Sequence, residues 1–268
     1  MNDSGTQRQL RSEQKKRAIE RLNEEIKACK GCRLFLTRSR VLLGEGNPDG
    51  RILLVALSPG REEDLHDRMF IGPSGQVLER LLGAAKIRRD GIYMTNLIKC
   101  LLPKNRRPKM DEIEACGRFL DKEIRILCPD IIVPLGYYAA RHIMAKYHAD
   151  PPAARKDFST LCGKLVFSHG QSIFPLPHPA SLLYHPAFES QVAEEYKKLS
   201  TLLQECKWFH CCPMRRFYEE GRLDRQWISL YCKGLWNTCI RYHMEEKGEV
   251  HPDWMLPDGT MDERLANL

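Results

Sequence analysis

No apolar run in the sequence reaches the ~18 residues that a membrane-spanning helix needs, and no export leader opens it. Both absences point to a soluble, cytoplasmic protein with no membrane partner. Internal repeats and low-complexity tracts are missing too, which argues against solenoids and fibrous arrays. Tryptophan is absent ahead of Trp208, and all four tryptophans (Trp208, Trp227, Trp236, Trp254) lie in the last part of the chain. Cysteine, by contrast, is plentiful. Eleven of them, an odd number, in a chain with no export signal argue against a disulfide framework and for metal ligation.

At 268 residues and 43% hydrophobic content the chain can bury one good core plus a smaller appendage. The net charge of +7 is unevenly spread: residues 1–204 carry 33 Lys and Arg against 24 Asp and Glu, residues 205–268 carry 9 against 11. A positive surface attracts polyanions through counterion release, so nucleic acid is a natural partner for the first part. On charge alone, a solvated surface explains the surplus equally well.

Residues 1–17 are polar and expected to be unstructured. Ala18, Ile19, Leu22 and Ile26 then recur at helical spacing and deliver the chain to Cys29-Lys30-Gly31-Cys32, a CxxC pair whose sulfurs can share one metal. The run 51–57 predicts a strand, ended by Ser58-Pro59-Gly60. A long charged loop, 58–73, carries Phe70 and leads to a helix from about Ser74. The stretch Tyr93-Met94-Thr95-Asn96-Leu97-Ile98-Lys99-Cys100 reads as a buried strand that brings Asn96 to a ligand-binding edge, with Cys100 beside it free to hold a metal. A basic turn, 103–108, suits phosphate contacts or solvent. It is followed by a helix from about Asp111 that points Cys116 inward, a strand over 130–135 and a helix through Ile143. Past a loose basic connection come short strands at 164–167 and 173–176, His178 between Pro177 and Pro179, and a closing helix through Tyr196 and Leu199. Cys128 and Cys162 stand alone and read as buried apolar cysteines.

This alternation predicts an α/β fold: a three-layer αβα sandwich around a central, mainly parallel sheet, formed by residues 1–204. Strand ends then gather Ser58, Gly60, Asn96 and His178 along one edge.

The frame Cys29-x2-Cys32, Cys100 and Cys116, with a Thr-Asn-hydrophobic-hydrophobic-Lys-Cys strand at the third cysteine, resembles the family 4 uracil-DNA glycosylases. Other segments match in family order. Ser58-Pro59-Gly60 with Glu63-Asp64 resembles the first motif, and Arg68-Met69-Phe70-Ile71-Gly72 the segment bearing the base-stacking aromatic. Residues 103–108 resemble the Pro-rich turn after the third cysteine, and His178-Pro179-Ala180-Ser181-Leu182-Leu183 the second catalytic motif. The resemblance covers roughly residues 25–204.

It implies a [4Fe–4S] cluster on Cys29, Cys32, Cys100 and Cys116, and a monofunctional glycosylase that flips uracil out of DNA and leaves an abasic site. The expected catalytic residues are His178, a donor to the negative charge developing on uracil O2, and Asn96, whose carboxamide reads O4 and N3–H. Phe70, Ser58 and Gly60 complete the expected base-binding set, and the partner is DNA containing uracil, met by a monomer. Leu182 or Leu183 is placed to wedge into the base stack. One position departs from the pattern: the family's Gly-Glu-Ala-Pro-Gly reads Ala56-Leu57-Ser58-Pro59-Gly60 here, and Leu57 cannot act as a base. A glycosylase of altered base specificity, or a DNA-binding iron–sulfur module that does not cut, is therefore kept as the alternative.

Residues 205–268 lie beyond the resemblance. Five cysteines among tryptophans, in a segment too short for a large core, predict a small, mainly helical, metal-binding extension. Its expected ligands to a second metal, as an iron–sulfur cluster or zinc, are Cys206, Cys212, Cys232 and Cys239, with Cys211 a bystander.

Overall fold

The computed structural model describes residues 3–266. Its centre is one six-stranded sheet in the order β1-β3-β2-β4-β6-β5, built from β1 (Glu45–Gly46), β2 (Ile52–Ala56), β3 (Ile92–Asn96), β4 (Ile131–Pro134), β5 (Val166–Ser168) and β6 (Gln171–Ile173). The inner pairs β3/β2, β2/β4 and β4/β6 are parallel, and the edge strands β1 and β5 run antiparallel to their neighbours.

Every residue of β2 is buried, as its Ile-Leu-Leu-Val-Ala sequence requires of a strand covered on both faces. Alternate residues divide between two cores. Ile52, Leu54 and Ala56 pack with α3 (Pro73–Ala84) and α8 (Glu189–Thr201), while Leu53 and Val55 pack with α1 (Asp3–Lys27), α4 (Met110–Leu127) and α5 (Tyr137–Lys146). This is the expected αβα layering.

Short helices fill the connections: α2 (Arg61–His66) inside the loop expected at 58–73, α6 (Arg155–Leu161) in the connection expected to be loose, and α7 (Ser181–Tyr184) after His178. A second correction concerns the amino-terminal stretch, which is helical from Asp3; Met1 and Asn2 lie outside the described residues. Its Gln, Arg, Glu and Lys residues are good helix formers. Lys15 anchors the helix, donating to the Leu127 carbonyl at 2.8 Å and pairing with Asp49.

Cys128 is also corrected, for it is exposed, in the left-handed conformation at the carboxyl end of α4. Cys162 is half-buried, and burial pushes its thiol up to about 12.

Residues 205–266 form α9 (Pro213–Glu219), α10 (Arg225–Trp227) running into a π-turn at Ile228–Cys232, and α11 (Ile240–Lys247). They enclose a core of their own around Phe209, Met214, Phe217, Ile228, Leu256 and Leu265. Among the described residues, no helix is long and apolar enough to cross a membrane.

Candidate active site and cysteine centres

The parallel strands end at one cleft of about 520 Å³. It is lined by Leu57, Ser58 and Gly60 after β2, Asn96 at the end of β3, Phe70 from the preceding loop, and His178 beyond β6. The sequence-predicted base-site residues are thus brought together.

His178 is placed by backbone. Past Ile173 the chain stays in sheet register, with Phe174 donating to Ile132 and Leu176 to Pro134. The turn after it is tied by Ser181, whose hydroxyl donates to the His178 carbonyl at 2.7 Å. Gly136, at φ +84°, comes so close that a Cβ there would lie 3.2 Å from that of His178. A larger residue would be strained in its backbone and would crowd the ring.

The Ala180 N–H donates to His178 Nδ1 at 3.1 Å. Nδ1 is then an acceptor, so the neutral ring carries its proton on Nε2. Burial pushes the imidazole down to about 4, which keeps it neutral at physiological pH. The site therefore presents an uncharged N–H donor.

Phe70 stands 6.0 Å from His178 between ring centroids, tilted by 35°. Its backbone is left-handed, φ +51°, a costly state for a phenylalanine. Arg89 holds the segment there by donating to the carbonyls of both Met69 and Phe70. Arg89 is fixed in turn by Glu79 at 2.6 Å and Glu45 at 3.1 Å, and Glu45 accepts the Met69 N–H. Sequence reasoning missed this clamp. Its charges are spread over 45 residues of chain, and nothing local marks them.

Asn96 is buried and donates through Nδ2 to Met69 Sδ at 3.3 Å, which orients its carboxamide. Gly60 is closely packed: a Cβ there would meet Glu63 Oε2 at 2.3 Å, so the Glu63 carboxylate would have to shift. Glu63, itself buried at the cleft wall, accepts the Gly72 N–H at 2.9 Å and so closes the loop around Phe70. Leu57 lines the cleft without offering a polar atom. On the rim, Leu183 and Tyr184 are exposed while Leu182 is buried in the core. Leu182 is thereby excluded as the wedge. Arg106, from the basic turn, is committed to the buried Glu112 rather than to solvent.

Cys29, Cys32, Cys100 and Cys116 converge on a second cavity, which they share with Arg38 and with apolar side chains such as Ile26, Leu34 and Phe119. All four are free thiols. N–H groups point at three of the sulfurs: Gly31 N to Cys29 at 3.4 Å, Lys99 N to Cys116 at 3.2 Å, and Arg38 Nη1 to Cys100 at 3.6 Å. Burial pushes Cys116 up to about 11 and also raises Cys100, which Arg38 partly offsets. A metal centre held by these thiols would displace their protons.

Beside this cavity, between β3 and α4, lies a fully buried ion pair. Lys99 Nζ meets Glu123 Oε2 at 2.6 Å, and both bond Thr95.

The tail's Cys206, Cys212, Cys232 and Cys239 border a third cavity, of about 130 Å³. Cys211 borders it too, but is exposed and donates to the Trp208 carbonyl. Among the described residues, no group of three or more His, Cys, Asp or Glu is arranged to hold a metal ion.

A family model described as the Uracil DNA glycosylase superfamily matches residues 43–200. The chain is 35% identical over 196 residues to a type-4 uracil-DNA glycosylase of Sulfurisphaera tokodaii, covering 69% of this chain and 84% of the relative. It is 35% identical over 189 residues to the type-4 enzyme of Thermotoga maritima, covering 70% and 95%. A type-5 uracil-DNA glycosylase of Thermus thermophilus is 32% identical over 165 residues, covering 55% and 69%.

Proposed function

The chain belongs to the uracil-DNA glycosylase superfamily, and from that membership we infer that it is a DNA-repair enzyme that excises uracil, working at the cleft where the parallel strands end. The observation that carries the assignment of roles is the convergence of Asn96, Phe70 and a neutral His178 in that cleft.

Uracil must leave the base stack to reach this cleft. Leu183, exposed on the rim, is the side chain that fills the gap it leaves. Phe70, fixed by the Arg89 clamp, stacks on the flipped ring. Asn96 offers the acceptor and donor that match uracil N3–H and O4, where cytosine presents the reversed pattern.

When the bond from C1′ to N1 breaks, its electron pair passes to the base and negative charge grows on O2. His178 Nε2–H donates to that oxygen, and because the ring is neutral and already oriented, the bond strengthens as charge develops. The sugar carbon takes on oxocarbenium character, water adds to C1′, and the water's proton leaves to solvent. With Leu57 where the family has an acid, the water is held by Ser58 and by backbone groups at the cleft wall. The balance of catalysis shifts from activating water to stabilising the leaving base.

The first cysteine set fits a [4Fe–4S] cluster: four free thiols line one cavity and N–H groups aim at three of the sulfurs. Cys29, Cys32, Cys100 and Cys116 would hold it, and its contribution is structural, tying the end of α1 to β3 and α4. Residues 1–204 form the glycosylase unit and 205–268 a separate extension, and the protein acts as a monomer. Incubation with oligonucleotides that contain uracil, cytosine or thymine at one site, followed by alkali, tests the assignment; breaks only at uracil are expected.

A further inference from the structure

The carboxyl-terminal segment lies outside the part matched to the superfamily, and its four-cysteine cavity has no place in the mechanism above. Two features of that cavity point to an occupant. The first is the approach of Cys206, Cys212, Cys232 and Cys239 from separate elements. Cys212 opens α9, Cys232 ends the π-turn, Cys239 opens α11, and the Cys206 N–H bonds the Cys232 carbonyl at 2.8 Å. Positions so distant in sequence meet only through the fold.

The second is Arg241, which borders the same cavity and is 2% exposed. Its Nη1 donates to the carbonyls of Pro252, Asp253 and Met255, but Nε and Nη2 find no partner among the described residues. The indole N–H of Trp236, on the same cavity wall, is likewise buried and unpaired. A buried cation with open N–H groups is strongly disfavoured. An anionic group that accepts hydrogen bonds would satisfy both.

We propose that the tail holds a second iron–sulfur cluster, ligated by Cys206, Cys212, Cys232 and Cys239 and charge-compensated by Arg241. Four thiolates on a cubane of ordinary charge leave the assembly negative, and its sulfurs accept N–H bonds. Zinc suits the site less well. A single zinc draws four sulfurs to ~2.3 Å from one point, whereas these four cysteines stand around a cavity rather than a point. The cavity of about 130 Å³ has room for a cubane core. The cluster would staple short helices whose core is small. None of this depends on the glycosylase reading.

The test is the iron and acid-labile sulfide content of the full chain, purified or reconstituted without oxygen. About eight iron and eight sulfide per chain are expected, falling to about four in Cys232→Ala or Cys239→Ser and staying at about eight in Cys211→Ala. Cys100→Ala should remove the other four, so failure of the first site and failure of the second are told apart. The wild-type count alone decides between one cluster and two, so the test survives a variant that does not fold. About four iron per chain, untouched by the tail substitutions, would overturn the proposal; so would about one zinc lost with Cys232.

Discussion

The backbone N–H of Ala180 donates to Nδ1 of His178, and this one bond fixes which ring nitrogen faces the substrate. Protonation of the imidazole would set two donors against each other, so the bond and burial together hold the ring neutral.

Uracil release should therefore be insensitive to His178 ionisation from pH 8 down to pH 6 and decline only as pH approaches about 4. Stability carries the same signature with a definite sign. A histidine titrating near 6.5 when unfolded and near 4 when folded makes the unfolded chain bind the extra proton between those values, so stability rises with pH across that window. His178→Gln should flatten that part of the profile in urea titrations. A rate profile with a midpoint near 6.5 would contradict the geometry.

Arg89→Met should release Phe70 from its left-handed conformation and slow uracil release by ~10- to 10²-fold through misplacement alone. The measurement is a double-mutant cycle with Phe70→Leu. If Arg89 acts only by holding Phe70, the double variant is no slower than the worse single one.

The Lys99–Glu123 pair is fully buried, so removing one partner strands a charge. Lys99→Met should cost about 3–5 kcal/mol in chemical denaturation, and adding Glu123→Leu should recover most of it. Because Lys99 precedes Cys100 and Glu123 shares α4 with Cys116, the single variant should also lose iron.

Asn96→Asp replaces the carboxamide with a group that cannot both donate and accept as Asn96 does. Selectivity for uracil over cytosine should fall, as read by competing oligonucleotides. Unchanged selectivity would move base reading to other atoms of the cleft.

The layered fold was legible because Ile52–Ala56 and Ile131–Pro134 are apolar runs of strand length, Ile92–Asn96 is one that turns polar at its end, and helical periods separate them. Asn96 and His178 were legible because strand ends in such sheets face the ligand edge. What escaped the sequence was pairing at long range. Glu45, Glu79 and Arg89 look like separate surface charges, and Lys99 and Glu123 show nothing of their burial until β3 meets α4. The first turns of the helix from Asp3 were hidden by their polarity, since its buried apolar stripe starts only at Ile19 and the stretch before it is tied down by Lys15 reaching Leu127. Leu182 and Leu183 were equivalent in sequence and are separated only by the way α7 sits on the core.

The central claim is that this cleft excises uracil with Leu57 in place of an acid, through the donor on His178. Single-turnover release of uracil from an oligonucleotide, wild type against His178→Ala, tests it most directly. The wild type should generate alkali-labile sites at uracil alone, and the variant should be slower by ~10²–10³-fold with its DNA binding intact. Equal rates in the two proteins, or no release by the wild type, would contradict it.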